Sequence, residues 1–172
     1  MISSEAFKQI KAIVLDIDGV LTDGSVGYGA AEEIKFFNVR DGHWMKLAIR
    51  AGLKVGLLSG RSSEANRKRA AELGLSFIYE NCKDKLAAFE QLLVEHVLRP
   101  EECLYIGDDV IDMPVLSRVG VAVAVADAVL ELDEVVHFRT QLPGGHGAVY
   151  EAIRRLLIEQ GKLDLVMERY RL

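Results

Sequence analysis

Cysteine, proline and surplus positive charge are all scarce in this 172-residue sequence, and each shortage excludes a class of protein. The two cysteines, Cys82 and Cys103, form no CxxC pair and have no histidine or cysteine neighbour at metal-binding spacing. Neither a zinc site nor a disulfide framework is therefore predicted. The 26 acidic residues outnumber the 21 basic ones, so the composition argues against a nucleic-acid or membrane-surface binder.

Long apolar segments are missing as well. The longest run, residues 119–132, is interrupted by Asp127 and falls short of the roughly 18 residues that span a bilayer. Residues 1–11 lack the apolar stretch of a signal peptide. We therefore expect a soluble, cytoplasmic protein without a membrane partner. Half of the composition is hydrophobic, which is enough to bury the core of one domain over residues 1–172.

Short apolar runs alternate with segments of helical spacing along most of the chain. The strand-length runs are 12–15, 54–59, 76–79, 103–107, 119–125 and a weaker one at 134–138. The helical segments are 42–51, 62–73, 84–97, 109–118, about 127–132, and 147–160. Strands that are apolar on both faces predict an α/β fold, with a Rossmann-like, mainly parallel sheet flanked by helices. The Gly-rich segment 24–39 predicts a projecting β-hairpin.

Polar residues follow the predicted strands. Asp16 and Asp18 come after the first strand, "SGRSS" (59–63) after the second and "GDDVID" (107–112) after the fourth, while Lys85 opens the helix after the third. Ligands bind outside the carboxyl ends of parallel strands, so these segments are expected to converge on one crevice.

Several carboxylates in one crevice repel each other unless a cation neutralises them, and Mg²⁺ prefers oxygen ligands of this kind. Ser59 and the backbone amides that begin the next helix would bind an anion. Together with Lys85, these are the groups needed to hydrolyse a phosphate ester through an aspartyl-phosphate. Asp16 and Asp18 are two apart and project to the same side, so Asp16 could attack phosphorus while Asp18 handles the proton.

Four segments resemble, in order, the four motifs of the haloacid dehalogenase (HAD) superfamily of phosphohydrolases. They are "DIDGVLTDG" (16–24), "LLSGRS" (57–62), Lys85 and "YIGDDVID" (105–112). Members of this superfamily usually carry an inserted cap domain. Here the gaps between motifs hold only the hairpin and one helix, so the resemblance predicts a protein without a cap.

The resemblance also implies a role for each motif residue. Asp16 would be the nucleophile and a metal ligand, and Asp18 the general acid and base, which also ligates Mg²⁺ through its backbone carbonyl. Asp108 would be a further metal ligand. The remaining residues would bind phosphate (Ser59, Gly60 and Lys85) or support the metal (Asp109 and Asp112).

Further segments are similar to the family of 3-deoxy-D-manno-octulosonate 8-phosphate phosphatases, which act in lipopolysaccharide sugar synthesis. These segments are "FNVRDG" (37–42), "GRS" (60–62), "DKLAAF" (84–89), "VAVADA" (123–128), "GGHGAV" (144–149) and "QGKLD" (160–164). The resemblance implies a small sugar acid phosphate as substrate and a homotetramer. In this family the hairpin mediates the tetramer, and a neighbouring subunit closes the site in place of a cap.

Three alternatives stay open. The first is the related phosphatase for 2-keto-3-deoxy-D-glycero-D-galacto-nononate 9-phosphate, which tends to carry glutamate at the position of Arg61. Because an arginine fork pairs with a sugar acid's carboxylate, Arg61 favours the eight-carbon substrate, and Arg40 is a second candidate contact. The others are a non-catalytic, phosphatase-like regulatory domain and a phospho-receiver domain.

Overall fold

The computed structural model describes residues 2–30 and 32–171. Its strands are β1 (Ala12–Leu15), β2 (Gly27–Tyr28), β3 (Glu33–Ile34), β4 (Lys54–Leu58), β5 (Phe77–Tyr79), β6 (Cys103–Gly107), β7 (Val121–Ala124) and β8 (Phe138–Arg139). Its α-helices are α1 (Ser4–Gln9), α2 (Val39–Arg50), α3 (Glu64–Leu73), α4 (Lys85–His96), α5 (Met113–Leu116), α6 (Ala148–Glu159) and α7 (Leu163–Met167). Short 3₁₀ turns occupy Pro100–Glu102, Val110–Asp112, Leu130–Glu134 and Glu168–Tyr170.

Six strands form one parallel sheet in the order β5-β4-β1-β6-β7-β8. Strand β1 lies near the centre, with Ala12 opposite Lys54 of β4 and Cys103 of β6. Every residue of β1, β6 and β7 is buried, as expected for strands covered by helices on both faces. The predicted α/β architecture is confirmed, and the carboxyl ends of β1, β4 and β6 open on the same edge.

The hairpin is shorter than predicted. Strands β2 and β3 pair in antiparallel register, with Gly27 opposite Ile34 and Tyr28 opposite Glu33. The predicted segment 24–39 extends too far because the Asn38 side chain caps α2, which begins at Val39. Part of the predicted hairpin, Ala31, lies outside the described residues. Between β1 and α2 the described chain forms only this hairpin, in agreement with the predicted lack of a cap.

Other boundaries differ from the sequence pattern. The weaker strand predicted at 134–138 exists but begins later, because the 3₁₀ turn Leu130–Glu134 ends where the run starts and β8 covers Phe138–Arg139. Val135 and Val136 pack against the core from the segment between the turn and β8, which accounts for the apolar residues that precede the strand. The predicted helix at 109–118 is a 3₁₀ turn followed by the single turn of α5. The short helices α1 and α7 were not predicted.

Helix α2 packs against α6. A buried carboxylate of α2 also binds the first turn of α6. Gly147 precedes α6 with φ of 112° and offers no side-chain cap. Asp41 of α2 accepts hydrogen bonds from the backbone N–H groups of Gly147 (3.2 Å) and Tyr150 (2.7 Å) instead. This contact fixes the loop that precedes α6, which lies against the site described below. None of the helices within residues 2–30 and 32–171 has the length and hydrophobicity to cross a membrane.

Candidate active site

A cavity of about 230 Å³ opens at the carboxyl ends of β1, β4 and β6. It brings together the residues that follow these three strands, although they lie far apart in the chain. Its lining includes Asp16, Asp18, Ser59, Gly60, Arg61, Asp108 and Asp109.

Lys85 connects two acids behind the cavity wall, since it contacts the lining residue Asp16 but is itself buried and does not line the cavity. Its side chain is 2% exposed, and its ammonium lies 2.8 Å from Asp16 Oδ2 and 2.6 Å from Asp112 Oδ1. The position follows from local structure, because Asp84 caps α4 and Lys85 is the first residue of that helix. Asp16 is held from the other side, since its Oδ1 accepts a hydrogen bond of 2.7 Å from the Ile17 N–H.

Asp112 is the most fully bonded acid of the site. Its Oδ1 also accepts a hydrogen bond of 2.6 Å from the hydroxyl of Tyr105, and its Oδ2 accepts the backbone N–H groups of Asp108 (3.0 Å) and Asp109 (3.3 Å). It is fully buried, whereas the neighbouring Asp109 is exposed and caps the following 3₁₀ turn. Sequence reasoning missed Tyr105, whose place in the apolar strand β6 gave no sign that its hydroxyl reaches an acid.

Two glycines leave the space that the carboxylates occupy. A Cβ on Gly19, where φ is +85°, would lie 1.9 Å from Asp108 Oδ2. A Cβ on Gly107 would lie 2.6 Å from Asp112 Oδ2. Any side chain at either position would displace an acid, which explains sterically why both positions are glycine.

Burial and mutual repulsion raise the pKa of Asp16 and of Asp108. Carboxylate oxygens of Asp16, Asp108 and Asp112 lie within 4.8 Å of one another. Burial and the charge of Asp112 raise the pKa of Asp16 to about 6, despite the nearby Lys85. Burial and the charge of Asp16 raise the pKa of Asp108 to about 8. Burial lowers the pKa of Lys85, but its two acidic partners outweigh this effect and leave it raised.

This donor set fits a divalent cation of the Mg²⁺ type. Three closely spaced carboxylates with one lysine leave uncompensated negative charge, and Mg²⁺ takes carboxylate oxygens together with waters and phosphate oxygens. Asp18 was also predicted as a ligand, but through its backbone carbonyl. Its carboxylate is not one of the three that cluster.

The loop after β4 forms one side of the cavity, through Ser59, Gly60 and Arg61. Ser59 is buried, and its hydroxyl oxygen accepts the Arg61 N–H at 3.2 Å. Its backbone binds β5 and the residues after it, through Tyr79 O (2.9 Å) and the Cys82 N–H (3.0 Å). Ser63 then caps α3. The loop is therefore fixed at both ends, as a preorganised anion site requires.

Of the two predicted substrate arginines, the structure brings one to the cavity. Arg61 lines the cavity and is half exposed. Its guanidinium forms an ion pair with Glu33, and its Nε lies 3.8 Å from Asp18 Oδ2. Arg40 instead lies over the ring of Tyr150 at 5.6 Å and is not among the lining residues.

The hairpin folds back onto its own site. Lys35, directly after β3, places its ammonium 2.5 Å from Asp18 Oδ1 and 3.8 Å from Glu33 Oε2. Sequence reasoning missed both Lys35 and Glu33. Their spacing of two indicates a shared strand face, but nothing in the sequence indicates that this face turns toward β1.

The "GGHGAV" segment supports the loop that carries the first two acids. The Gly144 N–H donates to Asp127 Oδ1 at 2.9 Å, and a Cβ on Gly144 would lie 1.7 Å from Gly19 O. The Gly145 N–H donates to Val20 O at 2.9 Å. Close backbone contact, rather than chemistry, accounts for these glycines.

Comparisons with known proteins agree with this geometry. The family model of haloacid dehalogenase-like hydrolases matches residues 42–120. The chain is 42% identical over 158 residues to the 3-deoxy-D-manno-octulosonate 8-phosphate phosphatase KdsC of Escherichia coli strain K12, covering 91% of this chain and 84% of that one.

Solved structures with similar sequences have the same fold. The 3-deoxy-D-manno-octulosonate 8-phosphate phosphatase of Yersinia pestis is 40% identical, with a TM-score of 0.90 and coverage of 94% of this chain and 88% of that one. The Moraxella catarrhalis enzyme of the same name, solved with magnesium, phosphate and KDO, is 32% identical, with a TM-score of 0.93 and 97% coverage of both chains. The chain therefore belongs to the haloacid dehalogenase-like hydrolases, within the family of 3-deoxy-D-manno-octulosonate 8-phosphate phosphatases.

Proposed function

We propose that this phosphatase hydrolyses 3-deoxy-D-manno-octulosonate 8-phosphate to the free sugar acid and inorganic phosphate, through an aspartyl-phosphate on Asp16. The observation that carries the proposal is the Asp16 carboxylate, buried at the end of β1 with Lys85 at 2.8 Å and facing a cavity lined by Ser59 and Asp108. The names of the relatives supply the substrate, which would place the enzyme in lipopolysaccharide sugar synthesis.

In the first step, the Asp16 carboxylate attacks phosphorus while the bond from phosphorus to the sugar oxygen breaks. The leaving oxygen takes a proton from Asp18, which lines the same cavity. Lys85 and the Ser59–Gly60 loop hold the phosphoryl oxygens, and the bond from Lys85 to Asp112 keeps the ammonium in place. In the second step, water attacks phosphorus, Asp18 takes the water's proton and the bond to Asp16 breaks.

The metal residues complete the charge balance of this reaction. Asp16 and Asp108 would ligate Mg²⁺, while Asp112 and Asp109 would support it or its waters. The ion would neutralise charge on the phosphoryl oxygens during transfer. Without it, the phosphate dianion would have to approach an acid cluster that repels it.

Substrate choice is assigned to Arg61, with Arg40 as a weaker candidate outside the cavity. The Arg61 guanidinium is half exposed at the cavity mouth, where a fork of donors can bind a carboxylate. This residue supports the eight-carbon acid over the nine-carbon one.

We also propose that the enzyme works as a cytoplasmic homotetramer joined through its hairpins. Exposed apolar side chains concentrate in and beside the hairpin: Tyr28, Ile34, Phe36 and Val39. A two-stranded hairpin is marginally stable in water by itself, and an exposed apolar patch of this kind is typical of a protein interface.

Replacing the nucleophile tests the mechanism. We expect Asp16→Asn to lower phosphate release from the eight-carbon sugar acid phosphate by more than about 10⁴-fold, because no other group replaces the attacking oxygen. An Asp16→Asn variant that folds and retains near-normal turnover would contradict the aspartyl-phosphate route.

The wild-type enzyme tests the substrate assignment. It should release phosphate faster from the eight-carbon ester than from its nine-carbon analogue, and it should lose this activity when a chelator removes the metal. Equal, poor rates on both esters would contradict the substrate assignment.

Replacing Asp108 tests the metal site through stability. Because the pKa of Asp108 is about 8 in the folded protein and near 3.8 otherwise, stability without metal should fall as pH rises between these values. Asp108→Asn should raise the metal-free Tm at pH 8 but not at pH 4, and should reduce the stabilisation by Mg²⁺. Thermal unfolding would measure both, with the exposed Glu90→Gln as the matched control. Loss of metal-free stability at pH 8 would contradict the charge assignment.

Replacing an exposed aromatic residue tests the assembly. Phe36 is 84% exposed in the single chain, so Phe36→Glu should place charge in the tetramer interface and shift the mass from light scattering toward smaller species. Leu130→Glu, a similarly exposed position far along the chain, should leave the mass unchanged. A tetramer that persists in Phe36→Glu, or a monomeric wild-type protein, would contradict the proposed interface.

A further inference from the structure

The hairpin supplies a buried lysine to the acid that handles the proton. We propose that Lys35 is a positioning residue for Asp18, an inference that rests on the proposed phosphatase function. Its ammonium contacts Asp18 Oδ1 at 2.5 Å across a separation of 17 residues. None of the four motifs contains this residue, and it reaches the site only because the hairpin folds back.

The burial of Lys35 separates this contact from an ordinary surface ion pair. The Lys35 side chain is 1% exposed, and a buried ammonium is costly unless it is paired with carboxylates. A second lysine offers a comparison, because Lys68 of α3 lies 3.7 Å from Glu32 of the same hairpin with its side chain 66% exposed. A surface pair of this kind contributes little. Lys35 is therefore held at Asp18 by the fold itself.

The contact sets the direction of the Asp18 carboxylate. The oxygens of Asp16, Asp108 and Asp112 cluster at the base of the cavity, whereas Asp18 Oδ1 is bonded to Lys35 on the hairpin side. This direction suits a group that must meet the leaving oxygen, because the sugar has to lie toward the open mouth of the cavity, away from the attacking carboxylate.

Glu33 completes the arrangement. Its carboxylate binds the guanidinium of Arg61 and lies 3.8 Å from Lys35, and both cations also approach Asp18, so the four side chains form one network. The hairpin and the loop after β4 are thereby fixed to each other. Each of these contacts with Asp18 comes from the same chain as Asp18 itself.

The chemical consequence depends on the leaving group. When the bond from phosphorus to an alkyl oxygen breaks, the alkoxide must receive a proton from Asp18. A nitrophenolate leaves as a stable anion and needs no proton. Lys35 itself gives up no proton and forms no bond in this step. Misdirecting Asp18 should therefore slow alkyl esters selectively.

The test compares two esters in the full-length, Mg²⁺-loaded enzyme. We expect Lys35→Met to lower kcat for the eight-carbon sugar acid phosphate by about 10- to 100-fold, and kcat for p-nitrophenyl phosphate by less than about threefold. In an Asp18→Asn background the same substitution should have no further effect on kcat, because its target is gone. Lys35→Arg should restore most of the activity, and the matched control Lys68→Met should leave both rates unchanged.

Other outcomes would overturn the inference. Equal losses on both esters, a further loss in the Asp18→Asn background, or a Tm that no longer rises with Mg²⁺ would make Lys35 a merely structural residue. A gain on the alkyl ester would show that Lys35 opposes the proton transfer. If Lys35→Met does not fold, Lys35→Gln is expected to show the same selective loss.

A wrong substrate assignment can be distinguished from a wrong role for Lys35. A wild-type enzyme that ignores the sugar acid phosphate but hydrolyses ribose 5-phosphate would overturn the substrate assignment. The ratio of ribose 5-phosphate to p-nitrophenyl phosphate would still test Lys35, with the same selective loss expected.

Discussion

The site depends on the two hydrogen-bonded ion pairs of Lys85. Its ammonium links Asp16 at the end of β1 to Asp112 after β6, so two neighbouring strands of the sheet are joined by charge at their carboxyl ends. Neither acid could be buried without this partner, because an isolated charge in a dry site is costly. In the proposed reaction the same lysine also holds the phosphoryl group, so one side chain would support both the fold and the reaction.

This arrangement leaves the site with excess negative charge. One lysine cannot neutralise three clustered carboxylates, and burial together with the charge of Asp16 raises the pKa of Asp108 to about 8. A divalent cation removes this penalty and prepares the cavity for an anionic substrate. Gly19 and Gly107 contribute by leaving room for the acids. The acid cluster is thus electrostatically unfavourable until a cation binds to it.

The buried strands and the meeting of the acids at one sheet edge could be predicted from the sequence. Apolar runs indicate the buried strands, and the carboxyl ends of parallel strands meet at one edge of the sheet, so the pattern alone predicts that Asp16, Ser59 and Asp108 converge. Tyr105 and Lys35 could not be found, since each reaches the site through side-chain direction and tertiary folding. The strand predicted at 134–138 was placed too early, because Val135 and Val136 pack against the core before β8 begins and so produce the apolar pattern of a strand.

Both the proposed orientation of Asp18 and the proposed subunit contact involve the hairpin. One set of its side chains turns inward to Asp18, while Tyr28 and Phe36 remain exposed for the proposed subunit contact. The central claim, however, concerns Asp16, and trapping its phosphorylated form tests that claim most directly. Enzyme quenched during turnover and reduced with borohydride should contain homoserine at position 16, located by peptide mass spectrometry. Unmodified Asp16, or homoserine at another acid, would contradict the account.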